Sequence, residues 1–249
     1  MNDLNVTKVT AGELPHLIQL AAKAGRPVMI HSSPGVGKSA SVRAAAEAMA
    51  TEKGLRVAEL GEVKDPGSEF GYFDIRLTNM GPEEFGLPVA DHDTGIQRRL
   101  PVDWLPSTDR KDLPEHGVIA FEELASVGPA MQAAVYQIML DRRLGDKRIK
   151  PGWSLIATGN LMTDGGVVHK MATPLANRMI HLYVRSDVDS WVEWAVKNDV
   201  APVVLAFIRF RPDLLNTFEK HLKNRGGSHA FSTERSWEIV SGNGVSGSC

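Results

Sequence analysis

His31-Ser32-Ser33-Pro34-Gly35-Val36-Gly37-Lys38-Ser39 follows the apolar run Pro27-Val28-Met29-Ile30 and precedes an alanine-rich stretch from Ala40 to Ala50. A buried strand, a glycine-bearing turn and a helix, in that order, are the context of a phosphate-binding loop. Gly35 and Gly37 carry no Cβ, so the backbone can approach a polyphosphate closely there. The candidate binding stretch is Ser33, Pro34, Gly35, Val36, Gly37, Lys38, Ser39 and Ala40, whose N–H groups and helix N-terminus would form a concave anion nest. Lys38 would reach the β- and γ-phosphates of a nucleotide, and the Ser39 hydroxyl would ligate Mg²⁺. The strict pattern G-x-x-x-x-G-K-[ST] would place its first glycine at Ser32, the one point of departure. Taken alone, the stretch has a second reading, a serine- and glycine-rich turn before an ordinary helix.

The 249 residues suffice for one large domain, or for a core with a small second domain. Apolar residues make up 43% and charged residues 23%, the balance of ordinary globular chains. A formal net charge of −2 speaks against a generally basic nucleic-acid binder. The single cysteine, Cys249, excludes a disulfide framework and a cysteine metal site. No segment approaches the roughly 20 apolar residues that a membrane span requires, so a cytoplasmic protein is the simplest expectation.

Around the loop, Leu14, Leu17, Ile18 and Ala21 fall at helical spacing, and Leu55 to Leu60 alternates as a strand. From Gly61 to Pro114 proline and glycine break every period, with a short strand expected at Asp74–Leu77 and a helical turn at Pro82–Phe85. So long a stretch without periodicity reads as a functional insertion. Order returns at Gly117-Val118-Ile119-Ala120-Phe121-Glu122-Glu123, a buried strand ending in two carboxylates. Strand C-termini are where parallel α/β sheets bind ligands. Glu122 could hold a Mg²⁺ shell and Glu123 polarise a water against a γ-phosphate; alternatively the pair caps the next helix.

A helix is expected over Pro129–Leu140, then a basic hairpin, Arg142 to Lys150, turning at Gly145-Asp146. That hairpin reads as a solvated turn or subunit contact, or as a surface for a threaded polymer or nucleic acid. Trp153 to Asn160 is a further buried strand, and Asn160 at its end would lie beside the glutamate strand and orient the attacking water. Met179 to Val184 is the last strand, after which the chain turns helical from about Asp187, with helices marked by Trp191–Ala195, Val203–Phe210, Leu214–Phe218 and Trp237–Val240. Ser232-Thr233 supplies capping chemistry for the last of these. The expected division is a nucleotide-binding core over 1–186, a helical lid over 187–241 and a flexible tail over 242–249.

Together these pieces resemble an AAA+ ATPase, and within that superfamily the MoxR type. The resemblance rests on Ser32–Ser39 as Walker A and Val118–Glu123 as Walker B, on Ala157-Thr158-Gly159-Asn160 and Leu175-Ala176-Asn177-Arg178, and on Asp141 to Gly145. It implies a P-loop NTPase fold, a three-layer αβα core on a parallel sheet with a small C-terminal helical lid. It implies ATP and Mg²⁺ as ligands, with Asn160 as sensor 1, Arg178 as an arginine finger serving a neighbouring subunit, and Arg235 as sensor 2 contacting phosphate. It further implies a hexameric homo-oligomeric ring, a chaperone-like remodelling role and a partner carrying a von Willebrand factor A domain. The chain departs from the pattern in two further places: Glu122 stands where Walker B carries Asp, and Glu234 precedes Arg235 where a proline is usual. These departures raise a second reading, a nucleotide-gated scaffold that hardly hydrolyses; a DNA-directed motor is a third.

Overall fold

The computed structural model describes residues 8–86, 88–93, 95–99, 102–161, 177–223 and 230–244. Its centre is a sheet of seven strands: β1 (Lys8–Thr10), β2 (Val28–His31), β3 (Arg56–Glu59), β4 (Glu69–Arg76), β7 (His116–Glu122), β10 (Gly152–Gly159) and β11 (Ile180–Arg185). Two small hairpins lie outside it, β5 (Pro88–Asp91) with β6 (Ile96–Arg99) and β8 (Arg143–Leu144) with β9 (Lys147–Arg148). In the large sheet the order is β1-β11-β2-β10-β7-β4-β3, and every neighbouring pair runs parallel. Helices cover both faces, as the crossovers of a parallel sheet require. On one side α1 (Leu14–Lys23) and α2 (Lys38–Glu52) pack over Val28, Ile30, Val118, Ala120 and Ile156. On the other, α3 (Pro129–Asp141) packs over Met29, Ile119, Phe121, Leu155 and Ala157. This is the three-layer αβα core with a parallel sheet that the resemblance implies.

Side chains alternate between the faces along each strand. Glu122 therefore shares the α2 side with Val118 and Ala120, and Thr158 shares it with Ile156. The helix whose first residues are Lys38 and Ser39 thus faces the polar ends of two neighbouring strands.

The stretch expected to be an insertion contains a core element. β4 is eight residues long and lies between β3 and β7, in place of the four-residue strand expected from Asp74. Its alternation is hidden because both faces are covered, and because Gly71 reads as a breaker. That glycine admits the Trp153 ring, since a Cβ at Gly71 would lie 2.2 Å from Trp153 Cη2. Past β4, Phe85, Trp104, Leu105 and Leu113 join the core on the α3 side, with Trp104 edge-on to Phe121 at 5.9 Å. Edge strand β1 has no counterpart among the elements expected from the sequence, and pairs Lys8–Thr10 with Tyr183–Arg185.

The C-terminal part is helical: α4 (Val188–Lys197), α5 (Pro202–Phe210), α6 (Phe218–Lys223) and α7 (Glu234–Gly244). Asp187 caps α4 by accepting the Ser190 N–H at 3.0 Å. Trp191, Ala195, Val204, Ile208 and Leu215 form its own small core. Leu214 closes a 3₁₀ turn, so the third expected helix begins only at Phe218. α7 continues three residues into the segment expected to be a flexible tail; 245–249, like 162–176 with Leu175 and Ala176, lie outside the described residues.

Candidate functional site

The strand order makes the site. β10 lies between β2 and β7, so the ends of the loop strand, the asparagine strand and the glutamate strand stand side by side. Ile30 pairs with Thr158 and His31 with Gly159, which sets Asn160 beside Ser32 at the start of the loop. Ala157 pairs with Phe121, which sets Thr158 beside Glu122.

The loop has the backbone that its glycines permit. Gly35 and Gly37 lie at φ +77° and +89°, in the left-handed region that costs other residues strain, and Gly37 is the N-cap of α2. A Cβ at Gly37 would meet nothing within 4 Å, so the space in front of the helix is open. Ser32, where the motif has its first glycine, is fully buried and not in the left-handed region. Its hydroxyl donates to the Ser33 carbonyl at 2.8 Å and accepts from Lys38 Nζ at 2.9 Å. The departure from the motif therefore supplies a partner for the lysine. Lys38 Nζ also donates to the carbonyls of Ser32 and Ser33 and to Asn160 Oδ1, the last at 3.1 Å. Lysine and asparagine, 122 residues apart in sequence, meet here.

Glu122 is buried, 4% exposed, and its two oxygens differ. Oε2 accepts the Thr158 hydroxyl at 2.5 Å, whereas Oε1 has no hydrogen-bond partner among the described residues. Burial raises its pKa; the Thr158 hydroxyl pulls it back, Asp74 pushes it further, and Ser39 and Lys38 oppose the rise. A buried carboxylate with one oxygen unpartnered among the described residues, and with Ser39 and Lys38 acting on the same group, has a donor to offer a ligand. Hard oxygen donors of this kind, a carboxylate and a hydroxyl, fit Mg²⁺. Glu123 leaves the strand at φ +63°, ψ +31°, an uncommon conformation for a non-glycine residue, and its N–H donates to Thr158 Oγ1 at 3.2 Å. Such strain is concentrated at functional sites. Thr158 does not stand out in the sequence, where it passes for one more strand residue.

The C-terminal helices reach the loop at two points. Arg235 N–H donates to the Gly35 carbonyl at 3.3 Å, and a Cβ at Gly35 would lie 2.6 Å from the Thr233 side chain. Arg235 is exposed in the first turn of α7, beside the loop. Glu234 is turned away from Arg235's surface position: it is buried, accepts from Asn216 Nδ2 at 2.8 Å, and has its pKa raised by burial. Arg178 is not brought to this site. It is exposed two residues before β11, and Ile180 pairs with Val28, so it stands at the opposite end of the sheet from the loop.

The basic hairpin is largely committed internally. Arg142 donates to the carbonyls of Lys150 and Trp153, Lys147 pairs with Asp109 at 2.6 Å, and Lys150 is buried against the Leu113 carbonyl and Glu115. Arg143 and Arg148 remain exposed. No helix among the described residues is long and apolar enough to cross a membrane.

No family model matches the chain, and no curated protein does. Among solved structures it is similar to a candidate ATPase from Cytophaga hutchinsonii, at 14% identity and TM-score 0.47 over 78% of this chain and 53% of that one. It is also similar to NtrX from Brucella abortus, at 16% identity and TM-score 0.46 over 97% of this chain and 56% of that one. A third is a point mutant of RuvB from Thermotoga maritima, at 16% identity and TM-score 0.38 over 76% and 49%. The chain spans about half the length of these three structures.

Proposed function

We propose that this chain is an AAA+ ATPase of the MoxR type, which binds ATP with Mg²⁺, hydrolyses it, and works as a ring of identical subunits remodelling a protein partner in the cytoplasm. The observation that carries this reading is the convergence on Lys38. The loop, Asn160 and the Glu122–Glu123 pair come from three adjacent strand ends and meet at the N-terminus of α2.

Each residue then has a task. The N–H groups of the loop and of the α2 N-terminus receive the polyphosphate. Lys38 exchanges the Ser32, Ser33 and Asn160 oxygens it now holds for phosphate oxygens. Ser39 and Glu122 would hold Mg²⁺, which would supply charge neutralisation on the phosphates. Glu123 takes a proton from the attacking water, and Asn160, released from Lys38, orients that water. Arg235 stands at the loop for a phosphate contact within the same subunit. Arg178, at the far end of the sheet from this loop, would serve a neighbouring subunit's site, where it would stabilise transition-state charge. A partner with a von Willebrand factor A domain fits the family reading.

Steady-state ATP hydrolysis with mass determination, with and without ATP, tests this on the wild type, Lys38→Ala, Glu123→Gln and Arg178→Ala. Nucleotide binding lost in Lys38→Ala, turnover lost in Glu123→Gln with binding kept, and an ATP-stabilised ring are the expected results. Loss of turnover in Arg178→Ala with binding intact supports the role in trans; loss of both refutes it. The longer, buried Glu122 favours one second reading, a scaffold that assembles on ATP without turnover, which the same measurement separates. The internal bonding of Arg142, Lys147 and Lys150 speaks against a DNA-directed motor.

A further inference from the structure

Thr158 Oγ1 makes two hydrogen bonds in the site. It donates to Glu122 Oε2 at 2.5 Å and accepts the Glu123 N–H at 3.2 Å. One hydroxyl therefore ties together the side chain of the residue proposed to hold the metal and the backbone of the residue proposed to activate water. Thr158 is itself fully buried, on a strand fixed on both sides, with Ile30 of β2 as one partner and the β7 strand as the other. It cannot follow either glutamate if that residue moves. A hydroxyl has one proton to give, and here it goes to Oε2, leaving Oε1 without a hydrogen-bond partner among the described residues.

That division matters because of the residue at 122. A glutamate has one more rotatable bond than the aspartate usual at this place, and octahedral Mg²⁺ tolerates little misplacement. We infer that Thr158 is a positioning residue which clamps Glu122 so that Oε1 alone faces the metal, and which holds Glu123 in its left-handed turn through the same oxygen. Such outer partners orient metal ligands, and losing one commonly weakens metal affinity by about 10–100-fold. The inference rests on the nucleotide-binding reading above and adds to it a reason why a glutamate functions at residue 122.

The test is the affinity of a fluorescent ATP analogue for the full chain, titrated with Mg²⁺ and again with EDTA. Wild type is compared with Thr158→Val, which keeps the shape and removes the hydroxyl, and with Thr158→Ser, which keeps the hydroxyl. In wild type Mg²⁺ tightens binding; in Thr158→Val that enhancement falls about tenfold or more, while the affinity in EDTA stays within about twofold. Thr158→Ser restores the enhancement. In a Glu122→Gln background Thr158→Val has no further effect. A Thr158→Val protein with full Mg²⁺ enhancement overturns the clamp. So do equal losses with and without Mg²⁺, which would mean that the residue merely supports its strand. Should Thr158→Val not fold, Thr158→Ala against Thr158→Ser makes the same comparison. Wild type that binds nucleotide equally well in Mg²⁺ and EDTA overturns the clamp and leaves the nucleotide site standing. Wild type that binds no nucleotide refutes the function reading, and the clamp with it.

Discussion

Replacing Gly35 by alanine tests how the C-terminal helices hold the loop. Two costs arise, and they can be separated. Alanine at φ +77° pays a left-handed penalty of about 1–2 kcal/mol. Its Cβ would also sit 2.6 Å from both Cβ and Oγ1 of Thr233, inside any real contact distance. Overpacking of this kind costs about 1–3 kcal/mol where the surroundings yield only in part. The total expected is about 2–5 kcal/mol, read as a shift in the urea midpoint. Gly37→Ala is the internal control: its φ is +89° but nothing lies within 4 Å, so it pays the backbone cost alone. Thr233→Gly removes the obstacle and costs α7 the Ser236 N–H bond to Thr233 Oγ1, a loss of only a few tenths of a kcal/mol for glycine at an N-cap. Adding Thr233→Gly to Gly35→Ala should therefore recover the steric part, about 1–3 kcal/mol, and leave the backbone part. The same double variant should regain binding of an ATP analogue relative to Gly35→Ala, because α7 can settle back on the loop. If Gly35→Ala is no worse than Gly37→Ala, or Thr233→Gly recovers nothing, the contact between α7 and the loop is not what the geometry says.

Three other outcomes follow from single contacts. Burial, then His181 and Lys38, lowers the His31 pKa from 6.5 to about 4. A histidine whose folded pKa is depressed contributes stability above its unfolded pKa and loses it as pH falls from there toward the folded value. Between pH 6.5 and 4.5 His31 should thus withdraw on the order of 2–3 kcal/mol, and urea titrations at both pH values should show a shallower loss for His31→Gln. Gly71→Ala should destabilise by about 1–3 kcal/mol through Trp153, and intrinsic tryptophan fluorescence should shift as that ring is displaced; an unchanged emission and midpoint would refute the close approach. Arg142→Ala removes a charged donor from two carbonyls and should cost about 1.5–3 kcal/mol, whereas exposed Arg148→Ala should stay within about 0.5 kcal/mol in thermal or urea unfolding.

The fold was legible wherever one residue pattern answered to one environment. Val28–His31, His116–Glu122 and Gly152–Gly159 read as apolar runs because both faces of a central parallel strand are covered. The helices over 14–23 and 129–141 show their spacing because one side of each meets the sheet. β4 failed the same test for a physical reason. Gly71 and Gly117 sit in register on neighbouring strands, and both leave room for Trp153, where a Cβ would fall 2.2 and 2.6 Å from its ring. A glycine pair that makes space for a tryptophan from a third strand has the local look of a turn. The signal that could have found β4 is its aromatic content, Phe70, Tyr72 and Phe73, unusual in a loop and natural in a strand.

The candidate site divides along the same line. Lys38, Ser39, Glu122, Glu123 and Asn160 stand out because each is a polar residue at the end of an apolar strand or at the head of a helix, which local sequence reveals. What adjusts them does not lie in local sequence. Ser32 looks like a fault in the loop motif until its hydroxyl is found on Lys38 Nζ, and Glu122 looks like a fault in the next until Thr158 is found on its carboxylate. Thr158 carries one legible hint: it shares the inward parity of Ile156, so a hydroxyl falls where the pattern calls for an apolar side chain. A buried hydroxyl must find a partner. The register of β10 on β7 supplies it, since the pairing of Ala157 with Phe121 puts Thr158 opposite Glu122. Two departures from motif are thus each met by a neighbour's oxygen or nitrogen, which is why substituting the motif residue alone, Ser32→Gly or Glu122→Asp, should weaken this site instead of improving it: the first removes one of the four oxygens that hold Lys38 Nζ, and the second draws the carboxylate back from the Thr158 hydroxyl. Titration of the ATP analogue in Mg²⁺ decides the point. Tighter binding in either variant would mean that these contacts are incidental.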